Sequence, residues 1–385
     1  GDSLRVIGGT LAGPGLQVLG RLIALGSMSI TAPVTTDSAG AMEVRSSALG
    51  SSVNLSVANG FTNLGLIELL AYNAAYTSTF TVTNGTLVNA PSGVIRTQVG
   101  AGGGRTLAAQ LDNSGTLDLL HPMEIARAAS QHVHRSALTL GPANLTVTQT
   151  GGSPSFTNLG SIQLGQNRSL VVTGGSLDLS GGTLTGDTLS TLSLSNVTLS
   201  TTPAAMRTRV NFGTGSTFAA PFTIPVGDSL RVTGGTLAGP GLQVSGRLIA
   251  LGSMTVAAPV TTDPLGAMEV RSSALGSSVN LSVTNGFTNA GLIELIAYNA
   301  GYTSTFTVTN GTLVNAATGV IRTLVGALGG RTLAAQLDNS GTLDIQQALQ
   351  LDRASAQHVH RSALTLGAAN LTVVQTGTTP SFTNL

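Results

Sequence analysis

Short runs of alternating apolar and polar residues recur along the whole chain. Leu145–Thr148 and Phe80–Thr83, for example, alternate apolar side chains with threonine, which is the two-residue period of a half-buried β-strand. Each run covers 3–5 residues and is bounded by Asn-Gly, Gly-Gly, Ser-Gly or Pro, the residues that form tight turns. Because long helical periodicity is nearly absent, the pattern predicts an all-β protein made of many short strands.

The runs return in recognisable phrases at a regular step. One phrase has related forms at four places: Phe61–Leu69, Leu87–Ile95, Leu111–Leu119 and Phe156–Leu164. Within it, Asn63, Asn89 and Asn113 follow one another at nearly equal intervals, and Asn158 comes after close to two further steps. A second phrase, Ser3–Leu11, returns as Ser169–Leu177. A step of roughly 22–26 residues is typical of one coil of a β-solenoid.

Strands this short cannot bury a face alone. We therefore expect equivalent strands to stack in parallel, about 4.8 Å per coil, around a shared core of Val, Leu, Ile, Ala and Phe. The sequence predicts a parallel β-helix, that is, a β-solenoid of roughly 15–17 coils and roughly 70–80 Å. Asn63 and its equivalents are expected at the corners, in the left-handed conformation and stacked in ladders. The rival fold, a row of β-sandwich domains, has units of about 100 residues with longer strands and does not fit the step.

A much longer repeat contains these coils. Residues 1–159 occur again as residues 227–385 with 29 substitutions and no gap, which defines a 226-residue super-repeat. We expect two copies of it, 1–226 and an incomplete 227–385, in one continuous solenoid. Both Gly1 and Leu385 lie inside coil phrases. Because an uncapped solenoid end exposes unpaired backbone, we expect continuation into further repeats or end-to-end self-association into a long fibre.

Composition limits the function classes. Of 385 residues only 9% are charged, and the net charge of +1 leaves no basic surface for nucleic acid. The absence of cysteine excludes a disulfide framework and a thiolate metal site. Uncharged stretches such as 136–167 are broken by Gly, Pro and polar residues, so no membrane-spanning helix of about 20 apolar residues is predicted. The first residue is Gly, which indicates a mature fragment or a window of a longer chain.

The coil phrases resemble those of a known class of protein. Phe-Thr-Asn-x-Gly-x-Ile-x-Leu and Asn-Ser-Gly-Thr-Leu-x-Leu are similar to the coils of filamentous-haemagglutinin-like adhesins and autotransporter passenger domains, and the resemblance covers most of the chain. It implies an exported bacterial surface protein with a right-handed parallel β-helix. The near-identical 226-residue super-repeat is more uniform than most adhesin shafts. The resemblance leaves the export route and the anchor open.

Two histidines stand one residue apart on a predicted strand. His132 and His134 recur as His358 and His360, and residues i and i+2 of a strand share a face, which makes them candidates for holding a transition metal. No carboxylate or third histidine lies nearby in sequence. We therefore interpret them as an outward-facing polar pair with Val133 inside, and we expect neither a bound metal nor a cofactor.

Acidic residues give little support to catalysis. Asp112 and Asp118, repeated as Asp338 and Asp344, are close in sequence, and glycosidic cleavage needs two positioned carboxylates. However, the 16 acids are scattered over the chain, which favours a solvent-facing role. We therefore do not expect an enzyme, and a β-helix polysaccharide-processing enzyme is the least favoured alternative.

One segment differs strongly between the two copies. Residues 119–130 and 345–356 differ at ten of twelve positions, against 19 of the remaining 147. Because this segment contains good helix formers, it is predicted to leave the coil as a loop or short helix. It is either an unconstrained surface loop or a partner-binding site, whose residues in the two copies would be Met123, Glu124, Arg127, Gln350, Asp352 and Arg353.

These observations favour a structural role. A shaft or filament subunit outside the cell, on a bacterial surface, explains the uniform repeats and the low charge. The alternative is an adhesin that binds a surface or carbohydrate ligand through a protruding segment. Tyr72 and Tyr76, repeated as Tyr298 and Tyr302, form either an exposed adhesive patch or part of the packing.

Overall fold

The chain folds as a β-solenoid of about 17 turns with about 22 residues per coil, in which parallel strands stack on one another. The computed structural model describes residues 2–385 except 47, 188, 203–205, 273, 325, 327, 363, 365, 367 and 368, and the described residues form strands and turns but no helix. The predicted all-β solenoid is confirmed.

The described residues form 44 strands. In chain order up to Ser200 they are β1 (Ser3–Val6), β2 (Gly9–Leu11), β3 (Leu16–Val18), β4 (Arg21–Ala24), β5 (Met28–Ile30), β6 (Val34–Thr36), β7 (Ala41–Ser46), β8 (Val53–Asn63), β9 (Leu66–Ala71), β10 (Ser78–Asn89), β11 (Val94–Thr97), β12 (Arg105–Asn113), β13 (Thr116–Leu119), β14 (Met123–Ala126), β15 (Gln131–His134), β16 (Ala137–Leu140), β17 (Leu145–Thr148), β18 (Ser155–Asn158), β19 (Ser161–Leu164), β20 (Ser169–Thr173), β21 (Ser176–Asp178), β22 (Thr183–Gly186), β23 (Thr191–Ser195) and β24 (Thr198–Ser200).

The remaining strands continue to the end of the chain. They are β25 (Met206–Arg207), β26 (Arg209–Phe212), β27 (Thr217–Phe218), β28 (Phe222–Ile224), β29 (Ser229–Leu237), β30 (Leu242–Val244), β31 (Arg247–Ala250), β32 (Met254–Val256), β33 (Val260–Thr262), β34 (Ala267–Ser272), β35 (Val279–Asn289), β36 (Leu292–Ala297), β37 (Ser304–Asn315), β38 (Val320–Thr323), β39 (Arg331–Asn339), β40 (Thr342–Ile345), β41 (Leu349–Asp352), β42 (Gln357–His360), β43 (Leu371–Val374) and β44 (Ser381–Asn384).

The chain divides into two compact units, one made of Gly1–Ser193 with Val197–Thr201 and the other of Leu194–Asn196 with Thr202–Leu385. This division differs from the sequence repeat, whose second copy begins at Gly227. That the two copies form one continuous solenoid stays a prediction.

In the first unit, each coil contributes strands to three stacked faces. One face is the parallel sheet of β1, β4, β7, β9, β11 and β13. A second runs through β2, β5, β8, β10, β12, β14, β17 and β20. On the third face, the ends of β8, β10 and β12 are followed by β15, β18 and β21. The stretch of chain that joins two in-register partners is shorter for Ser3↔Arg21 than for Leu66↔Val94. The length of the turns therefore varies from coil to coil, whereas the register between strands is kept.

The second unit repeats these faces with its own strands. β31, β34, β36, β38 and β40 stack on one face, and β32, β35, β37, β39, β41 and β43 on the next. The 12-residue strands β10 and β37 have the same pattern of inward and outward residues, position for position. The two copies therefore fold alike at this level.

Strict alternation builds the core. Along β12 every second residue is buried, and Leu107, Ala109 and Leu111 are almost fully removed from water. Because the equivalent positions of successive coils lie directly above one another, these side chains form continuous apolar rows inside the solenoid. Each fully buried leucine contributes about 2 kcal/mol of transfer free energy.

The variable segment does not leave the coil, so the prediction of a loop or short helix at 119–130 and 345–356 is wrong. β14 pairs in register with β17, from Met123↔Leu145 onward, and β41 pairs with β43. Met123 and Ile125 are buried, and so are the leucines that replace them in the second copy. The substitutions keep the two-residue alternation, and this alternation outweighs helix propensity.

The turns between faces are tight enough to require glycine at some positions. At Gly93, between β10 and β11, a Cβ atom would lie 2.4 Å from the Asn63 backbone oxygen and 2.4 Å from Oδ1 of Asn89. The chain therefore passes directly over these asparagines. Among the described residues, none belongs to an apolar helix of membrane-spanning length.

Candidate functional site

A row of asparagine side chains runs inside the first unit. Asn63, Asn89 and Asn113 end β8, β10 and β12, lie in register, and have no exposed surface. Asn63 Nδ2 donates to Asn89 Oδ1 at 2.8 Å, and Asn89 Nδ2 donates to Asn113 Oδ1 at 2.7 Å. The ladder is confirmed, but the left-handed conformation expected for these residues is wrong, because they continue extended strands and none has a positive φ.

Each ladder asparagine also closes the turn that follows it. Nδ2 of Asn63 donates to the carbonyl of Gly65 at 3.0 Å, and Nδ2 of Asn113 donates to that of Gly115 at 3.2 Å. The Asn-x-Gly spacing in the sequence phrases is therefore the signature of an inward amide that satisfies a turn carbonyl. A buried carbonyl left without a donor would cost about 1–3 kcal/mol.

Histidine continues the row. Asn113 and His134 are partners in register, and Asn113 Nδ2 lies 3.0 Å from His134 Nδ1. Because an amide nitrogen only donates, Nδ1 is the acceptor and the ring proton sits on Nε2. On the same strand, Nδ1 of His132 accepts from the backbone N–H of Leu111 at 3.2 Å. Both imidazoles are 1% exposed and Val133 points outward, so the predicted outward-facing pair is wrong.

Burial holds these rings neutral. Desolvation lowers the pKa of His132 and of His134 to about 4, with the nearby Arg127 charge adding to the effect at His132. Desolvation also lowers the pKa of His358 in the second copy. The Nε2 atoms of His132 and His134 are buried without a hydrogen-bond partner. At neutral pH the pair is therefore an uncharged part of the core.

The second unit reproduces this row with nearly the same distances. Asn289 donates to Asn315 at 2.8 Å, Asn315 to Asn339 at 2.6 Å, and Asn339 lies 2.9 Å from Nδ1 of His360. Nδ1 of His358 accepts from the backbone of Leu337 at 3.3 Å. The row is thus a repeated structural feature of the chain.

A second polar row lies on the face of β7, β9, β11 and β13. Glu43, Glu68, Arg96 and Asp118 are consecutive partners in register. Glu43 is 1% exposed and forms ion pairs with the guanidinium groups of both Arg21 and Arg45. Arg96 Nε donates to Asp118 Oδ2 at 2.7 Å. The equivalent row of the second unit is Glu269, Glu294, Arg322 and Asp344.

Glu68 occupies the least favourable position in this row. Burial raises the pKa of its carboxyl group, and the neighbouring Glu43 charge raises it further, while Arg96, Arg45 and Arg21 act in the opposite direction. The same causes raise the pKa of Glu294 in the second copy. Two carboxyl groups thus face each other across adjacent coils, and the surrounding arginines offset their repulsion.

Sequence reasoning missed this row, although a signal was present. Its members recur once per coil, so acids that look scattered in sequence fall in one line. The two aspartates considered as a catalytic pair do not lie together. Asp118 binds Arg96, whereas Asp112 lies on another face and accepts from Arg135 Nε at 2.8 Å. The same separation holds for Asp338, which binds Arg361, and Asp344, which binds Arg322.

A buried arginine was also missed. Arg105 is 1% exposed, and its guanidinium donates to the carbonyls of Gly103, Ala101 and Gln98, which belong to the turn that precedes it. Burial lowers the pKa of Arg105. The Gly-Gly-Gly-Arg run is thus a turn folded around its own arginine.

The six residues named for a partner-binding loop are dispersed on the coil. Met123 is buried, and Glu124 accepts from Thr148 Oγ1 at 2.7 Å. Arg127 donates to the carbonyls of Gly85 at 2.6 Å and Thr83 at 2.7 Å, which belong to an earlier coil. In the second copy, Arg353 makes the same two bonds to Gly311 and Thr309, and Gln350 donates to Asp352 at 2.7 Å. Both copies thus have an arginine at this position, and in both it bridges coils.

These arrangements are chains of donors and acceptors rather than a set of converging reactive groups. Within the part of the chain that the structure describes, no three His, Asp or Glu side chains lie close enough to hold a metal ion together. The candidate functional features are therefore the asparagine–histidine rows inside and the acid–arginine rows on the neighbouring face. Comparison with family models, with curated proteins and with solved structures gives no match for this chain.

Proposed function

We propose that the chain is a structural β-solenoid, a segment of a shaft or filament on an extracellular bacterial surface. The observation that carries the proposal is the recurrence of the same stacked rows in both copies: Asn63–Asn89–Asn113–His134 and Asn289–Asn315–Asn339–His360, with matching bond lengths. A row that links each coil to the next opposes slippage of coils past one another, and a shaft under tension requires this resistance.

The acid–arginine rows support the same role. Arg21 on β4 and Glu43 on β7 form an ion pair across adjacent coils, as do Arg96 and Asp118, while Arg45 pairs with Glu43 along the same strand. Arginine forks of this kind give directional bonds to carboxylates and fix the lateral position of each coil. The resemblance of the coil phrases to filamentous-haemagglutinin-like adhesins and autotransporter passengers supplies the bacterial and extracellular part of the proposal.

The test is to lengthen the chain. One more copy of residues 1–226 is inserted at the repeat boundary, and particle length is measured by electron microscopy and small-angle scattering. A shaft gains roughly 45 Å, the advance of about ten coils. A control insertion carries the same residues in scrambled order. Particles that keep their length while gaining mass would contradict the proposal.

An adhesin is the second candidate, favoured by one observation. Tyr72 is 50% exposed and its copy Tyr298 is 54% exposed, each in the turn that follows a strand of the acid–arginine face. Exposed aromatic rings stack readily on sugar faces. If this chain binds a carbohydrate surface, a Tyr72→Ala, Tyr298→Ala double variant should lose binding on a glycan array while keeping its unfolding midpoint.

A further inference from the structure

His134 has a hydrogen-bond donor inside the core that the asparagine row does not use. Its Nδ1 accepts from the side-chain amide of Asn113 at 3.0 Å, so the ring proton is on Nε2. In the second copy, Asn339 holds His360 in the same way at 2.9 Å. The Nε2 atoms of both rings are buried without a hydrogen-bond partner. A buried donor of this kind requires an acceptor.

Asn158, in the next coil, has an acceptor that is equally unused. It is the in-register partner of His134 and has no exposed surface. Its Nδ2 donates to the carbonyls of Gly160 at 3.2 Å and Thr183 at 3.1 Å, which fixes the orientation of the amide. Its Oδ1 is buried without a partner. The earlier asparagines of the row also donate Nδ2 to a turn carbonyl, and the Oδ1 atoms of the second and third accept from the preceding coil.

The covalent lengths of the two side chains explain why they do not bond directly. In histidine Nδ1 is attached to Cγ, as are the amide atoms of asparagine, so Nδ1 of His134 takes the place of an amide in the row. Nε2 is one bond further from the backbone and therefore lies deeper in the core than Oδ1 of Asn158. The donor and the acceptor are thus offset, and a small molecule between them can bond to both.

Backbone carbonyls add further acceptors beside the imidazole of His134. Burial lowers the pKa of His134, and the carbonyls of Ser136 and Ser161 act in the opposite direction. A carbonyl raises the pKa of a histidine when its oxygen is close enough to accept from the ring. The space between His134 and Asn158 is therefore bordered by one donor and more than one acceptor.

The chemistry of these groups selects the ligand. An anion would accept from Nε2 of His134 but would repel Oδ1 of Asn158. A metal ion would need a lone pair on Nε2, and this atom carries the proton. Water both accepts and donates, and a buried water typically makes about three hydrogen bonds to polar groups that are otherwise unsatisfied.

We propose that one buried water molecule connects His134 to Asn158 in the first unit. The water accepts from Nε2 of His134 and donates one hydrogen to Oδ1 of Asn158. It donates the other hydrogen to the carbonyl of Ser136 or Ser161. The row that begins at Asn63 is thereby linked to one further coil, and this site does not depend on whether the chain serves as a shaft.

The test gives each histidine of β15 the shorter side chain that fills the row elsewhere. In His134→Asn the new amide can bond directly to Asn113 and Asn158, so the water is no longer needed. The matched control is His132→Asn, because His132 is equally buried and its partner in the next coil is Phe156, which offers no acceptor. Crystal structures should show a water within about 3 Å of Oδ1 of Asn158 in the original chain and in His132→Asn, but not in His134→Asn.

A solution measurement does not require crystals. Magnetic relaxation dispersion of water counts the molecules that a protein holds inside for long times. The count should fall by one in His134→Asn and stay unchanged in His132→Asn. Urea unfolding checks that both variants fold, which we expect because asparagine already occupies the in-register positions on both sides of His134.

Three results would overturn the proposal. These are a water that remains in His134→Asn, a direct bond from Nε2 of His134 to Asn158 or to a carbonyl in the original chain, and a bromide ion at this position after crystals of the original chain are soaked. The last result would identify an anion site. If His134→Asn does not fold, the crystal structure of the original chain alone distinguishes the water from the direct bond and from the anion.

Discussion

Asn113 donates its side-chain amide to Nδ1 of His134 at 3.0 Å, deep inside the first unit. This bond joins a row of amides to an imidazole that is neutral because burial lowers the pKa of His134 to about 4. A titratable group is thereby built into a buried row of uncharged amides. The stability of the solenoid should therefore depend on pH.

The first prediction concerns acid. His132 and His134 have a pKa of about 4 when folded and 6.5 when unfolded, so the unfolded chain binds more protons between these values. The stabilisation is fully present above pH 6.5 and is lost as pH falls towards 4. Each residue contributes roughly 3 kcal/mol to this loss. Urea unfolding at pH 7, 6 and 5 measures it.

The control for the acid prediction replaces the histidines with a group that does not titrate. Glutamine at positions 132, 134 and 358 should flatten the dependence of unfolding free energy on pH between about 5 and 6.5, where few carboxyl groups titrate. A slope as steep as that of the original chain would show that other groups are responsible.

The second prediction concerns the ladder. Asn89→Ala removes the acceptor of Asn63 and the donor to Asn113, so it should destabilise the chain by about 2–4 kcal/mol in urea unfolding. Asn315→Ala should do the same in the second copy. The matched control is Asn59→Ala, an exposed residue of β8, which should change stability by less than about 0.5 kcal/mol. If Asn59→Ala and Asn89→Ala destabilise the chain equally, the asparagine ladder makes no specific contribution to stability.

The third prediction separates two neighbouring glutamates. Glu43→Gln leaves Arg21 and Arg45 without their carboxylate and should destabilise the chain by up to about 3 kcal/mol. Glu68→Gln should raise the melting temperature at pH 7, because burial and the Glu43 charge raise the pKa of Glu68. With a raised folded pKa, the contribution of Glu68 to stability is present below 4.5 and is lost as pH rises through the folded value.

Calorimetry of the two glutamate variants at pH 4 and pH 7 checks the signs. The advantage of Glu68→Gln over the original chain should shrink at pH 4, where the carboxyl group is protonated. A destabilising Glu68→Gln at pH 7 would mean that Arg96 outweighs the burial and the repulsion from Glu43.

The fourth prediction concerns the arginine that both versions of the variable segment retain. Arg127→Ala removes two hydrogen bonds to the carbonyls of Thr83 and Gly85 and should destabilise the chain by about 1–2 kcal/mol. Arg127→Lys should recover only part of this loss, because an ammonium cannot form the two-pronged contact. If Arg127 instead serves a partner, binding to a surface ligand would fall while the unfolding free energy stays unchanged.

The sequence alone was sufficient for the solenoid, because the coil step and the two-residue alternation can both be read from it. It was not sufficient for the direction in which polar residues point. The apolar character of Val133 predicts that its side chain points inward. However, Asn113 on β12 faces inward and is the in-register partner of His134. The register with β12 therefore decides which side chains of β15 point into the core. Cross-strand register outweighs the hydrophobicity of one residue.

The acid–arginine row could not be predicted from the pattern of any one strand, because it also depends on the register between strands. Glu43 and Glu68 belong to successive coils, and only exact knowledge of the turn lengths places them side by side. The length of the turns varies from coil to coil. The average number of residues per coil therefore predicts that stacked rows exist, but it does not predict which residues belong to the same row. The prediction for the variable segment was wrong for a different reason. Its helix-forming composition was given more weight than the alternation of buried and outward residues, which is intact at Met123 and Ile125.

The amide row has a sense of direction. From Asn63 through Asn89 to Asn113, every Nδ2 donates its hydrogen to the next residue onward, and Asn289, Asn315 and Asn339 do the same. A single reversed amide would set donor against donor on one side and acceptor against acceptor on the other. The side chains must therefore all reverse together or not at all, and their dipoles add along the stack. The amide row of each unit thus has two chemically different ends, an amide oxygen at its first asparagine and an imidazole at its last residue.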